Sequence, residues 1–283
     1  MFGRDVIGIM LRVAGVAAAG AAFAGCADDA ARSPLPLFDR DPAAPAEEGR
    51  LTARPLADPR GEPHVGLHPL GLTDQRDALL YVPASYRRGT PAPMVVMLHG
   101  AGGCAERGLR PFIPHAESEG LILLATSSRD RTWDVIVGDF GPDVAFLDRA
   151  LKEVFERYSI DEDRLAVEGF SDGASYALTL GVTNGDLFSH VIAFSPGFMA
   201  PGESRGKPPI FISHGVEDRV LPIDVTSRKL VPELERRGYD VNYIEFQGGH
   251  APAPDIVRDA LGWFLGTGVG AADRSKTTGD DPC

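Results

Sequence analysis

The stretch Leu165-Ala166-Val167-Glu168-Gly169-Phe170-Ser171-Asp172-Gly173-Ala174-Ser175-Tyr176-Ala177-Leu178 decides how this chain is read. An apolar run enters Gly-x-Ser-x-Gly and a helix-compatible run leaves it, which predicts a strand, a sharp turn and a helix. Such a turn lifts a serine hydroxyl above the end of a sheet, so Ser171 is the candidate nucleophile. In a chain with 33 glycines the short pattern alone is weak, and its setting carries the weight.

A serine needs a base to take its proton, and the base needs a partner to fix its tautomer and stabilise its cation. Pro209 to Gly215 reads as a buried strand running into a turn, and Asp218 just beyond it is the candidate acid. Glu217 or Asp224 could replace it, and Asp218 could instead cap a helix beginning near Ile223. The alternating run Val241-Asn242-Tyr243-Ile244-Glu245-Phe246 then leads to Gln247-Gly248-Gly249-His250, and His250 is the candidate base. His99 and His214, at strand-to-loop junctions, read as structural ties to backbone groups.

The oxyanion formed on attack requires donors. Met94-Val95-Val96-Met97-Leu98 is a buried strand that empties into His99-Gly100-Ala101-Gly102-Gly103, where backbone N–H groups can approach a substrate closely. The amide of Ala101 is one candidate donor, and that of Asp172, directly after the nucleophile, is the other.

The segment ending in Leu98-His99-Gly100, the Gly169 to Gly173 elbow, the His214-Gly215 to Asp218 segment and Gly249-His250 together resemble the serine α/β-hydrolases. The likeness is strongest to small carboxylesterases of the phospholipase/carboxylesterase group and to polyhydroxybutyrate depolymerase and feruloyl esterase-like secreted proteins. It covers about residues 64 to 265. It implies an α/β-hydrolase fold, a Ser-Asp-His triad, no cofactor and no metal. Asp172 departs from the neutral residue more usual there, and sets a carboxylate by the entrance that is expected to disfavour anionic substrates.

Strands are predicted over about 64–72, 78–82, 94–98, 121–125, 165–169, 191–195, 210–214 and 241–246, and helices over about 107–119, 144–158, 173–181, 224–237 and 254–265. This alternation predicts an α/β fold with a mostly parallel sheet of about eight strands and helices on both faces. Asp143 reads as a helix N-cap. Only Pro196 to Pro209 separates two of the late strands, too short and rich in Pro and Gly for a lid, so the site is expected to be open. Phe198, Met199 and Trp133 are candidates for an apolar substrate wall.

Residues 1–25 carry Arg4 and Arg12, then a short apolar stretch ending in small residues, the build of a secretory signal. Ala24-Gly25-Cys26 resembles a bacterial lipobox, which implies lipidation of Cys26 and anchoring of an exported protein to the cell envelope. Residues 26–62 read as a disordered linker, 63–265 as the catalytic domain and 266–283 as a flexible tail. Cys104 and Cys283 could form a disulfide if the tail reached the site's edge. The net charge of −12, without a basic cluster, argues against nucleic acid and against electrostatic attraction to anionic lipid, leaving the anchor as the only membrane contact.

The expected activity is hydrolysis of a small-molecule or polymeric carboxylic ester through an acyl-enzyme. A prolyl oligopeptidase-type peptidase would use the same triad but needs a gating domain or an acidic pair, neither of which the sequence shows. The chain could also be a noncatalytic surface lipoprotein retaining the fold, or could transfer the acyl group to an alcohol in place of water.

Overall fold

The apolar, β-branched runs do form strands. The computed structural model describes residues 48–267. Within them lie β1 (Gly66–Pro69), β2 (Leu79–Val82), β3 (Ala92–Leu98), β4 (Ile122–Thr126), β5 (Ile160–Phe170), β6 (His190–Phe194), β7 (Ile210–Gly215) and β8 (Val241–Phe246). They make one 8-stranded sheet in the order β1-β2-β4-β3-β5-β6-β7-β8. Pairing is antiparallel from β1 to β2 and from β2 to β4, and parallel in every later pair. The inner parallel strands β3, β4, β6 and β7 are buried on both faces along most of their length, which is why they read as continuous apolar runs such as Met94 to Leu98, whereas β8 at the edge is only partly buried and alternates.

The helices are α1 (Ala105–Leu109), α2 (Ile113–Glu119), α3 (Asp134–Val137), α4 (Pro142–Arg157), α5 (Asp172–Thr183), α6 (Ser227–Arg236) and α7 (Pro254–Leu265). One core gathers the inward faces of α4, α5 and α6 with Val96, Val167 and Ile212. The other gathers α1, α2 and α7 with Met97, Ala166 and Phe211. Neighbouring residues of β3 and β5 thus feed opposite cores, and the sheet is a shared wall between two helical layers.

Three expectations change. The helix predicted over 107–119 is two short helices, because Pro111 and Pro114 interrupt the hydrogen-bond ladder. Asp143 is not an N-cap: Gly141 occupies that position, and Asp143 lies buried in the first turn of α4. Residues 48–62, expected to belong to the linker, are docked on the domain. Leu51 and Ala53 enter the core, Leu51 N donates to Asn184 Oδ1 at 2.9 Å, and Arg50 and Arg54 both pair with Asp186. The segment lacks a continuous apolar face, but alternate small apolar residues suffice once two arginines hold its other side.

Among the described residues no helix is long and apolar enough to cross a membrane. The expected signal sequence, Cys26 and all but the start of the expected tail lie outside the described residues. Cys104 stands in a disulfide, and both other cysteines of the chain, Cys26 and Cys283, lie outside the described residues.

Candidate active site

β5 ends at Phe170 and α5 begins at Asp172, so Ser171 alone makes the turn between them. Its φ of 57° lies in the left-handed region, strain of about 1–3 kcal/mol that a non-glycine residue tolerates only when its surroundings fix it. The amide of Ser171 donates to Phe194 O at 2.9 Å, which anchors the turn to β6. Gly173 admits the close approach of α5 to β3: a Cβ there would lie 2.0 Å from Leu98 O. The elbow and the loop after β3 are thereby pressed together.

His250 follows β8 on a loop that crosses the end of β7. Gly215 permits this, because a Cβ on it would lie 2.4 Å from Gly248 O. Glu217 N donates to Gly248 O at 2.9 Å, tying the two loops together. The sequence-predicted residues meet at this junction. His250 Nε2 lies 2.8 Å from Ser171 Oγ, and His250 Nδ1 lies 2.6 Å from Asp218 Oδ2. The ring of Phe170 packs on that of His250, with centroids 4.8 Å apart.

Asp218 is fully engaged. Its Oδ1 accepts the amides of Val220 and Leu221, each at 2.8 Å. Its Oδ2 faces His250 and, at 3.2 Å, Nε2 of His214. Burial pushes this carboxyl up, but donation from His214, His250 and Leu221 N outweighs burial and holds it well below the ordinary carboxylate range. An ionised carboxylate here can orient His250 and stabilise its cation. Glu217 is exposed and Asp224 pairs with Arg228, so neither shares this geometry.

In the loop after β3, Gly102 N donates to Arg131 O and Gly103 N to Gly100 O, whereas Ala101 sits exposed at the tip. His99 braces this loop from beneath: Ser128 N donates to His99 Nε2 at 3.0 Å, and His99 Nδ1 faces Gly100 O at 2.7 Å. Burial lowers the His99 pKa to about 4, so the ring is neutral and serves as a tie.

The phospholipase/carboxylesterase family matches residues 145–261, which hold all three residues of the hydrogen-bonded set. A probable feruloyl esterase C of Aspergillus oryzae is 28% identical over 167 residues, 56% of this chain and 60% of that protein. Feruloyl esterase C of Emericella nidulans is 26% identical over 219 residues, 66% of this chain and 80% of its own length. The match to the Aspergillus oryzae protein thus spans about 60% of that relative's length. Among solved structures, esterase PE8 superposes with a TM-score of 0.56 at 22% identity, covering 72% of this chain and 100% of that one. The Bacillus cereus carboxylesterase superposes with a TM-score of 0.53 at 20% identity, covering 69% and 96%. The chain is an α/β-hydrolase in fold.

Within this α/β-hydrolase the expected apolar wall is corrected. Trp133 is 1% exposed, stacks on Tyr176 with centroids 4.9 Å apart, and donates its Nε1–H to His99 O at 2.9 Å. It is a core residue that props the loop after β3, since a large flat ring gains most where both faces are covered. Phe198 is likewise buried in the core, and Met199 is partly buried against it. The loop that carries them is stitched to α5 by hydroxyls one turn apart. Gly197 N donates to Ser175 Oγ at 2.9 Å, Ala200 N to Thr179 Oγ1 at 3.0 Å and Gly202 N to Thr183 Oγ1 at 3.1 Å.

The side chain of Asp172 is not free at the entrance, because Thr132 Oγ1 donates to its Oδ2 at 2.6 Å. Burial raises its pKa, against the opposing pull of Thr132 and His250. Sequence reasoning missed Thr132, and it also missed Arg76, whose guanidinium donates to Gly103 O and Ser128 Oγ and so braces the same loop. Neither belongs to a motif; they come from a distant hairpin and a coil, and only the folded sheet brings them in. Phe170 had a readable signal, because the residue before an elbow serine must pack against whatever approaches that serine.

Proposed function

We propose that this α/β-hydrolase is a serine carboxylic-ester hydrolase. One observation carries the reading: an unbroken set of contacts runs from Ser171 Oγ through both nitrogens of His250 to Asp218 Oδ2, at 2.8 and 2.6 Å. His250 Nε2 takes the hydroxyl proton as Ser171 Oγ attacks the ester carbonyl. The amides of Ala101 and Asp172 bind the oxyanion. Collapse expels the alcohol, which leaves with the proton from His250, and the acyl group stays on Ser171. Water then attacks in the same way and frees the acid.

The similarity to fungal feruloyl esterases supports aromatic acyl esters as one substrate class to test beside short aliphatic ones. Export and lipid anchoring at Cys26 belong to the same proposal, on the strength of the N-terminal sequence. The test has two parts. A fluorophosphonate should label Ser171 in the wild type and not in Ser171→Ala. The unlabelled wild type should turn over p-nitrophenyl esters or methyl ferulate faster than aminoacyl amides. No labelling would sink the nucleophile, and faster amide hydrolysis would move the chain to the peptidases.

A further inference from the structure

His214, outside the reacting set, touches Asp218 from behind. Its side chain and that of Ser227 are completely buried. The ring's Nε2 lies 2.8 Å from Leu221 O and 3.2 Å from Asp218 Oδ2. Both neighbours are acceptors only, so Nε2 must carry the hydrogen. In that tautomer Nδ1 offers a lone pair, and Ser227 Oγ, 2.7 Å away, is placed to donate to it. Five side chains thus form one directed chain: Ser227 to His214, His214 to Asp218, His250 to the same Asp218 oxygen, and Ser171 to His250.

We propose that His214 and Ser227 are positioning residues for ester hydrolysis: Ser227 fixes the His214 tautomer, and His214 Nε2–H holds Asp218 Oδ2 ionised and aimed at His250. This rests on the proposed triad. A group that only tied β7 to the next loop would need Leu221 O alone; the second, longer contact to Asp218 Oδ2 is what makes the pair part of the reaction. With that donor removed, Asp218 directs more of its charge at His250 and favours the imidazolium. The charged or titratable groups that bear on the pair are few. Asp218 and Glu245 of β8, the latter paired with Arg228 of α6, face His214. Asp218 and Asp172 face His250.

The test uses the full chain and p-nitrophenyl acetate between pH 5 and 10. His214→Leu should lower kcat about tenfold or more with KM within about twofold, and move the acid limb of kcat/KM up by about half a pH unit or more. His214→Gln, whose amide nitrogen can stand near the Nε2 position, should restore most of the rate and return the limb. Ser227→Ala should shift the limb in the same direction by less. In the wild type, 15N spectra should show His214 protonated at Nε2 and bare at Nδ1. A folded His214→Leu with kcat and limb unchanged would overturn the proposal, as would a wild-type ring protonated at Nδ1 and bare at Nε2. If His214→Leu fails to fold, the Ser227→Ala profile and the wild-type spectrum decide. If the wild type shows no ester turnover, the hydrolase reading falls on its own, and the 15N spectrum with an NMR titration of His250 in Ser227→Ala still judges the relay.

Discussion

Gly173 and Leu98 touch so closely that a methyl group on the glycine would lie 2.0 Å from the leucine carbonyl oxygen. The contact joins the first turn of α5, which carries Ser171 at its head, to the strand that leads into the loop proposed to bind the oxyanion. Gly173→Ala should therefore separate nucleophile and donors by a few tenths of an ångström or more. We expect kcat/KM to fall at least about tenfold, with loss of about 1–3 kcal/mol of stability. Steady-state kinetics and urea unfolding would check this, and an unperturbed enzyme would mean that the two elements move apart freely.

Truncation of the hydrogen-bonded set should rank the candidate acids. Ser171→Ala and His250→Ala should each lower kcat by about a thousandfold or more, because such groups act as a unit. Asp218→Asn should lose most activity, whereas Glu217→Gln, at an exposed site, and Asp224→Asn, paired with Arg228, should change it little. A reversed ranking, read by initial rates on one ester, would reassign the acid.

The hydroxyls of α5 should matter to the loop they hold. Thr179→Val keeps shape but leaves Ala200 N without its acceptor, at a cost of about 1–3 kcal/mol. Amide hydrogen exchange should accelerate from 197 to 202 while kcat for a small ester stays within about threefold. Unchanged exchange would show that packing of Phe198 alone suffices.

Asp134 and Asp143 cap each other's amides: Asp134 N donates to Asp143 Oδ2 at 2.7 Å, and Asp143 N to Asp134 Oδ2 at 3.0 Å. Burial and then the neighbouring Asp134 carboxylate raise the Asp143 pKa to about 7, against 3.8 for the free group. Between these values the folded chain holds a proton that the unfolded chain has released. The stability this group contributes is thus complete below about pH 4 and is lost as pH rises through about 7. Thermal unfolding across a pH series should show the stability of the wild type relative to Asp143→Asn declining over that window and flat above it. A constant difference would mean that Asp143 titrates normally.

Thr132 restrains the charge that Asp172 presents to substrate. Asp172→Asn should raise kcat/KM for a succinate monoester relative to a butyrate ester by about threefold at low ionic strength, and Thr132→Val, which releases the carboxylate, should lower that ratio. The gain should fade with added salt. A ratio unmoved in both variants would confine Asp172 to its backbone N–H.

The sheet was legible because each strand carries its own signal. Met94 to Leu98 and Ile210 to Ile212 are continuous apolar runs that soon reach a His-Gly pair, and such runs have few other uses. Ser171, Asp218 and His250 were legible for a related reason: each follows a strand, and parallel strands end on the same side. Partners that act at right angles to the chain were not. Nothing local tells a core tryptophan from one that lines a pocket, and Trp133 becomes a prop only when Tyr176 and His99 arrive on either side. Leu51 and Ala53 looked too sparse to pack because the groove that receives them is made by other segments.

That docked segment also fixes which way Ser171 faces. Arg50 donates to Thr183 O, at the opposite end of α5 from Ser171. The helix spans Asp172–Thr183, so the place where the chain enters the domain and the reactive hydroxyl are separated by about 18 Å of rigid rod. A support joined to the chain ahead of residue 48 would pull on the foot of this rod and leave its head turned outward. A bulky molecule could then reach Ser171 without first passing that support.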